Sequence, residues 1–418
     1  MISFQSVQQY KGEHRKSLPE IARELNVDAV LEGSIQKSGD TVMINAQLVH
    51  APSDQHLWAE RYTRNTRDLM SAQNEIVLAI TEAIKVKLTQ QERTRFERAR
   101  PVDPEAQSHY FLGRFQLGKG TEAGLRQAIL EFEESTRKEP KFAPAYAGIA
   151  DAYSLLSSFY MPPREAMPKA EEAARKALAI DPDLAEAHSA IGYVQIFYHW
   201  NPGEGERELL KAIELNPNYS TARLNYGVLL LTQSRFSEGL AQLRKAQDIE
   251  PTSAIISFQI EWALFLAGKY EETIAQCRHT LAIEPKTAGS HSDMGLAYLF
   301  TGNKKEALTE LKKAVDLEPN SGTTTNYAIG LAVSGEKEEA ERVLHTFLQR
   351  SKGKYICAYE IASAYEGMRE RTKALEWLQR GYDEKCDCLV WGNTEPWMEE
   401  LRKDPRYKAI LAKTGLPQ

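Results

Sequence analysis

The stretch GRFQLGKGT, Gly113 to Thr121, is the nearest approach in this 418-residue sequence to a phosphate-gripping loop. Such a loop needs its lysine followed directly by Ser or Thr, so that the hydroxyl reaches the metal ion of a bound nucleotide. Here Gly120 separates Lys119 from Thr121 and no strand pattern comes before, so the segment reads as a turn between two helices. CDC, Cys386 and Cys388, could supply half of a metal site, but no second Cys pair or spaced His pair accompanies it. It is read as two thiols near the end of the chain, and no metal is expected. The nine histidines are scattered without His-Glu-x-x-His spacing, and no Gly-x-Ser-x-Gly elbow is present. Acidic pairs such as Glu338–Glu339 fit solvated helix faces. No catalytic residue and no cofactor is assigned, and an enzyme is not expected.

What the chain does contain is bulk for several units, since a single domain rarely exceeds 250 residues. Apolar residues make up 42% and charged residues 26%, the balance of a folded protein rather than a disordered one. A net charge of −6 with no basic stripe disfavours direct nucleic-acid binding. No apolar run of about 18 residues is present, so no membrane span is expected. The N-terminus lacks the basic-then-apolar order of a secretory signal. Four cysteines, Cys277, Cys357, Cys386 and Cys388, do not make a disulfide framework. A cytoplasmic protein is expected, or a periplasmic one if a membrane span lies upstream.

Self-similarity organises the rest. Pro140, Pro182, Pro217, Pro251, Pro285 and Pro319 close the rhyming stretches KEP, AIDP, ELNP, DIEP, AIEP and DLEP at spacings of 42, 35, 34, 34 and 34. A period of 34 is the length of one helix–turn–helix unit. Twelve residues before each proline stand Ala128, Ala170, Gly205, Gly239, Thr273 and Ala307; five before stand Ser135, Ala177, Ala212, Ala246, Thr280 and Ala314. Small residues in register let two helices approach closely. Ten after the first five prolines stand Ala150, Gly192, Gly227, Glu261 and Gly295, where Glu261 departs from the pattern and implies a looser contact. Proline fits the turn after each second helix, which it cannot continue.

These columns resemble the tetratricopeptide-repeat family over roughly residues 105 to 415. The resemblance implies a mostly α fold, a right-handed α-solenoid of about eight helical hairpins. They fall near 106–140, 143–182, 185–217, 220–251, 254–285, 288–319, 322–351 and 355–387. Gly335 and Ala340, then Ala374, carry the small-residue register into the last two. Residues 388–418, with PWMEELRKDPRYKAILAKTGLP, read as a capping helix pair over the last apolar face.

Before the array the period shifts from 3.6 to 2. Ser17-Leu-Pro-Glu20 has the form of a capping box opening a short helix. Val42, Ile44, Ala46 and Leu48 alternate with more polar neighbours, KSGD supplies a turn through Gly39, and HLWAERY (56–62) offers a third strand. A helix is expected from about Thr66 to Leu88, and MISFQSVQQY offers one more strand. SVQQYKG, IARELNVDAVLEGSIQKSGDTVMINAQLV, HLWAERY and IVLAITEAIKVKLT resemble the small α/β domain related to the amino-terminal domain of TolB and to FlgO-type domains, found ahead of tetratricopeptide repeats in bacterial signalling proteins. The resemblance implies an incomplete α/β connector with a mixed sheet over 1–92, a linker over 93–104, and one unpaired sheet edge. It also implies an effector module upstream: a winged-helix DNA-binding domain, a nucleotide cyclase or a protein kinase.

Stacked hairpins leave an extended concave surface suited to binding. Family positions 2, 5, 9 and 12 of each repeat fall on Leu224, Val228, Leu231, Ile255, Phe258, Trp262, Phe265, Leu296 and Leu299. This apolar, aromatic set lacks the Lys/Asn/Arg carboxylate clamp of chaperone-binding repeats, and implies an amphipathic helix or apolar peptide as partner. A one-residue change of register would turn the same residues into core. Tyr160, in the insertion that stretches one period to 42, and Tyr198 and Trp200, where one residue has been added, form a second candidate patch. The expected function is a non-enzymatic protein–protein interaction scaffold or sensor region of a bacterial signalling or transcription-regulatory system. The alternative is a regulatory part that acts on a separate effector.

Overall fold

The computed structural model describes residues 10, 16–25, 27–51, 53, 55–65, 75–76, 79–80 and 102–414. Most of the strand suggested for 1–10, of the helix suggested for 66–88 and of the suggested linker therefore lies outside the described residues; residues 75–76 and 79–80 are helical.

At the front, helix α1 (Leu18–Leu25) opens as its capping box requires: the Ser17 N–H and hydroxyl both donate to Glu20 Oε2, at 2.9 and 2.7 Å. Strands β1 (Ala29–Ser38), β2 (Thr41–His50) and β3 (Gln55–Asn65) follow as an antiparallel meander in the order β1-β2-β3. Gly39 turns the first hairpin with φ of 57°, so that Ser38 faces Thr41. Val42, Ala46 and Leu48 are buried, as the alternation requires. Among the described residues every pairing is antiparallel, because two tight connections join neighbouring strands; the further strand that a mixed sheet would need, suggested for 1–10, lies outside the described residues.

Sixteen helices then form eight hairpins. They are α2 (Pro104–Leu117) with α3 (Glu122–Lys138), α4 (Ala143–Phe159) with α5 (Pro163–Ile180), α6 (Ala185–Phe197) with α7 (Pro202–Leu215), and α8 (Ser220–Thr232) with α9 (Phe236–Ile249). Next come α10 (Ala254–Leu266) with α11 (Tyr270–Ile283), α12 (Ala288–Phe300) with α13 (Lys304–Leu317), α14 (Ser321–Ser334) with α15 (Lys337–Arg350), and α16 (Ala358–Gly367) with α17 (Arg371–Glu384). The small-residue columns are buried where the two helices of a hairpin touch. A Cβ on Gly227 would stand 2.8 Å from Leu243 Cγ and 3.1 Å from the Gly239 carbonyl oxygen, so only glycine fits there. Gly268, Gly302 and Gly335 make the turn inside their hairpins in the left-handed region, whereas Ser234 and Arg369 hold that conformation with a side chain.

Glu261 shows how an exception is accommodated. It occupies a glycine column, is fully buried, and its hairpin α10–α11 is more loosely apposed than the neighbours on either side. Thr280, at a position that is alanine in most repeats, donates to Glu261 Oε1 at 2.5 Å, and Ser290 donates to the same oxygen at 3.1 Å. Burial, opposed by these hydrogen bonds, raises the Glu261 carboxyl above its ordinary range. The scattered histidines find a similar use. His109, His188 and His291 each bond a glutamate on the second helix of their own hairpin, Glu131, Glu208 and Glu310, at 2.8, 2.6 and 2.6 Å.

The C-terminal segment departs from the expected helix pair. Among the described residues it holds three 3₁₀ turns (Asp387–Trp391, Pro396–Met398, Leu401–Lys403) and one α-helix, α18 (Pro405–Ala412).

Candidate partner-binding surface

The 3₁₀ turns do not stop at the last hairpin. Asp387–Trp391 touches α4 and α6 near the front of the array as well as α16 and α17 at its end, and Pro396–Met398 touches α16. Trp391 packs into the apolar cluster of Leu231, Ile260 and Leu264, with its ring at right angles to Trp262 and 6.2 Å away. Trp397 lies 6.1 Å from Trp262 and 6.0 Å from Phe265, and packs on the cluster of Leu299, Ala307 and Ile329. First helices of seven successive hairpins, α4 to α16, thus either touch one short segment or build the clusters that receive it. The face they share is the inner face of a curled array, and the chain's own residues 387–401 occupy it.

The segment is held by polar contacts as well. The Tyr359 hydroxyl donates to Glu395 Oε2 at 2.7 Å with both groups buried. Burial pushes the Glu395 carboxyl up to about 8. Arg402 donates to the carbonyl oxygens of Gly392 and Glu395 at 3.2 and 2.8 Å, and the Tyr407 hydroxyl donates to the Gly392 carbonyl at 2.7 Å. Gly392 is required there, because a Cβ would lie 2.4 Å from that hydroxyl.

The ends of the array also meet. Trp200 stacks on Tyr382 at 5.5 Å, with the Lys385 ammonium 3.9 Å from the Trp200 ring centroid, and Arg164 Nε donates to the Asp383 carbonyl at 2.7 Å. Trp200 carries φ of 56°, a conformation that costs about 1–2 kcal/mol for a residue with a Cβ. The extra residue in HWNP forces that turn and delivers the indole to the closure, where stacking and the cation offset the cost.

The residues singled out by sequence therefore fall into three settings. Leu231 and Leu296 have no exposure and form inter-hairpin core, joined by Val228, Phe265 and Leu299, also buried. Leu224 and Trp262 are half-buried: Leu224 packs on the cluster that also receives Trp391, and Trp262 meets Trp391 and Trp397, with Phe265 reaching Trp397 from below, while Phe258 lies against Gly289 of the next first helix. Ile255 is exposed. Of the second patch, Tyr198 and Trp200 meet Lys385 at the closure, and Tyr160 packs on the first two hairpins. The residues missed by sequence are those of the occupant, Trp391, Glu395, Trp397 and Met398. Their signal was the aromatic density of WGNTEPWM in a tail read as a cap.

The cysteines are also rearranged. Cys357, in the loop before α16, stands beside Cys386 and Cys388, with its Sγ 2.9 Å from that of Cys386. The sulfur that joins the CDC pair thus comes from 29 residues upstream of Cys386, one hairpin away.

Tetratricopeptide-repeat family models match residues 198–254 and 288–321. A protein of Rhizobium meliloti (strain 1021), named as a candidate adenylate cyclase (adenylate cyclase 3), is 32% identical over 195 residues, 46% of this chain and 26% of its own length. The chain thus spans about a quarter of that curated relative. Among solved structures it is similar to a tetratricopeptide-repeat protein of Parabacteroides merdae ATCC 43184, 14% identical, covering 64% of this chain and 98% of that one with a TM-score of 0.43. It is also similar to the Cut9–Hcn1 hetero-tetramer of the APC/C, 12% identical, covering 74% and 59% with a TM-score of 0.47. No helix among the described residues is long and apolar enough to cross a membrane. The tetratricopeptide-repeat matches thus cover residues 198–254 and 288–321, and the hairpins before and after them repeat the same helix–turn–helix architecture with buried small-residue columns.

Proposed function

We propose that this chain is a non-enzymatic protein–protein interaction scaffold in a bacterial signalling or transcription-regulatory system, and that it holds a protein partner on the inner face of its array. One observation carries the reading: that face already receives a polypeptide segment folded in 3₁₀ turns, residues 387–401, through two indole anchors and a buried Tyr359–Glu395 hydrogen bond. A surface that accepts such a segment suits a partner segment with aromatic side chains at a similar six-residue spacing. Leu224, Phe258, Trp262 and Phe265 would meet the partner once the chain's own segment yields, with Val228, Leu231, Leu296 and Leu299 supporting them from beneath. Tyr160, Tyr198 and Trp200 would respond to the opening of the ring rather than touch the partner.

The similarity to the Rhizobium meliloti relative favours a nucleotide cyclase, over a winged-helix or kinase module, as the effector such an array regulates. The test is fluorescence polarisation of a labelled peptide with the sequence of residues 385–403, added to the full chain carrying Trp391→Ala and Trp397→Ala. Binding at micromolar concentration, weakened about tenfold or more by adding Trp262→Ala, is expected. No binding to a chain whose own segment is shown by hydrogen exchange to be released would refute it.

A further inference from the structure

Where the C-terminal segment leaves the last hairpin, four potential ligand atoms converge: the Sγ atoms of Cys357, Cys386 and Cys388 and a carboxylate oxygen of Asp387, all within 4.8 Å of one another. Two elements far apart along the chain supply them. Cys357 caps the start of α16, while Lys385 ends α17 in the left-handed conformation and turns the chain so that Cys386, Asp387 and Cys388 point back. The Cys386 N–H donates to the Gly381 carbonyl at 2.8 Å and fixes that turn.

Three features single this cluster out from a chance group of thiols. Cys357, Cys386 and Asp387 are all buried, and Asp387 has no ion pair among the described residues. Its carboxyl group meets Cys388 Sγ, at 3.5 Å, and the Ser158 hydroxyl, neither of which carries a positive charge. The Tyr355 hydroxyl, shielded from solvent and without a hydrogen-bond partner, lies beside the four groups. A buried carboxylate facing three sulfurs is costly unless a cation joins them. Finally, the Cys357 and Cys386 sulfurs stand 2.9 Å apart, beyond the ~2.05 Å of a disulfide bond.

We propose that Cys357, Cys386, Cys388 and Asp387 form a binding site for a thiophilic divalent cation of the zinc class. Three sulfurs and one oxygen are a tetrahedral ligand set of the closed, structural kind, with no position left for substrate. On binding, three S–H bonds break and their protons leave to solvent, three metal–sulfur bonds and one metal–oxygen bond to the Asp387 carboxylate form, and the cation releases its water ligands. The unpartnered Tyr355 hydroxyl would donate to a thiolate and orient it. The cation would tie the C-terminal segment to the last hairpin where that segment also touches α4 and α6, and so hold the ring closed.

The test uses the full chain, reduced and freed of metal under anaerobic conditions, with Co²⁺ as the probe. One equivalent should produce thiolate-to-cobalt charge-transfer absorption and intense tetrahedral d–d bands, both displaced by Zn²⁺. Cys386→Ser should abolish them, Asp387→Asn should weaken binding by more than the ~10–100-fold that loss of an outer hydrogen-bond partner costs, and Cys277→Ala should change nothing. Mass-spectrometric thiol alkylation gives a second reading without any variant: Zn²⁺ should protect Cys388, the most exposed of the three. If the folded, reduced chain shows no cobalt–thiolate absorption and no protection by Zn²⁺, the proposal is wrong. It is equally wrong if the cluster holds no metal and its sole chemistry in air is a Cys357–Cys386 disulfide, seen as a loss of two hydrogens.

Discussion

Replacing Trp391 by alanine separates a segment that merely lies along the array from one that belongs to its core. Full burial of a tryptophan is worth about 3–5 kcal/mol on truncation. Trp391 is half-buried, so about 2 kcal/mol is expected. The edge-on contact with Trp262 at 6.2 Å should account for about 0.5–1.5 kcal/mol of that. A double-mutant cycle over Trp262→Ala and Trp391→Ala, measured by urea unfolding, should return a coupling of about 1 kcal/mol. Hydrogen exchange reads the same loss locally: amides of residues 389–401 should lose roughly thirtyfold in protection, the equivalent of about 2 kcal/mol. Repeat arrays unfold in parts when neighbouring units are their only contacts. Here hairpin two touches hairpin eight, so loss of protection should spread to α4 and α16. Additivity within about 0.3 kcal/mol, with protection of 389–401 unchanged, would refute the placement of the segment on the inner face.

Phe265→Ala should cost about 3–5 kcal/mol by thermal or denaturant unfolding, clearly more than Trp262→Ala, because Phe265 is 1% exposed; equal costs would place both on an open groove. Glu395 holds its proton more tightly folded than unfolded, with a folded value of about 8 against an ordinary value near 4.5. Its stabilising share is therefore complete below about pH 4.5 and lost as pH rises through 8. Melting temperature should fall between pH 6 and pH 9, and Glu395→Gln should flatten part of that fall; an identical slope in wild type and variant would count against it. Ser234→Gly should raise stability by about 0.5 kcal/mol, since relief of the left-handed strain outweighs the added freedom of the unfolded chain, and a loss of 1 kcal/mol on thermal unfolding would contradict this. Gly227→Ala should destabilise by about 1–3 kcal/mol, measured the same way, because its methyl group would stand 2.8 Å from Leu243 Cγ.

The hairpins, their small-residue contacts and the front β-hairpin were legible in the sequence because each rests on a local rule repeated at fixed intervals. Gly227 against Leu243, or Ser17 against Glu20, involves residues a few turns apart, and a period of 34 displays the first kind several times over. Curvature is not local. A small rotation at each of eight hairpins adds up, and only the sum decides that Trp200 reaches Tyr382, that Arg164 reaches Asp383, and that WGNTEPWM lies along the inner face rather than over the end. The same holds for Leu231 and Phe265, whose apolar character fits core and groove equally until the neighbouring hairpin is in place. It holds too for Cys357, which looks isolated in the chain and becomes the neighbour of Cys386 because one hairpin folds back on itself. Composition and period determined that helical hairpins would form and stack. The tertiary structure alone decided what their shared inner face would hold, since that depends on contacts between residues as far apart as Arg164 and Asp383, 219 positions, and farther, to which no local pattern is sensitive.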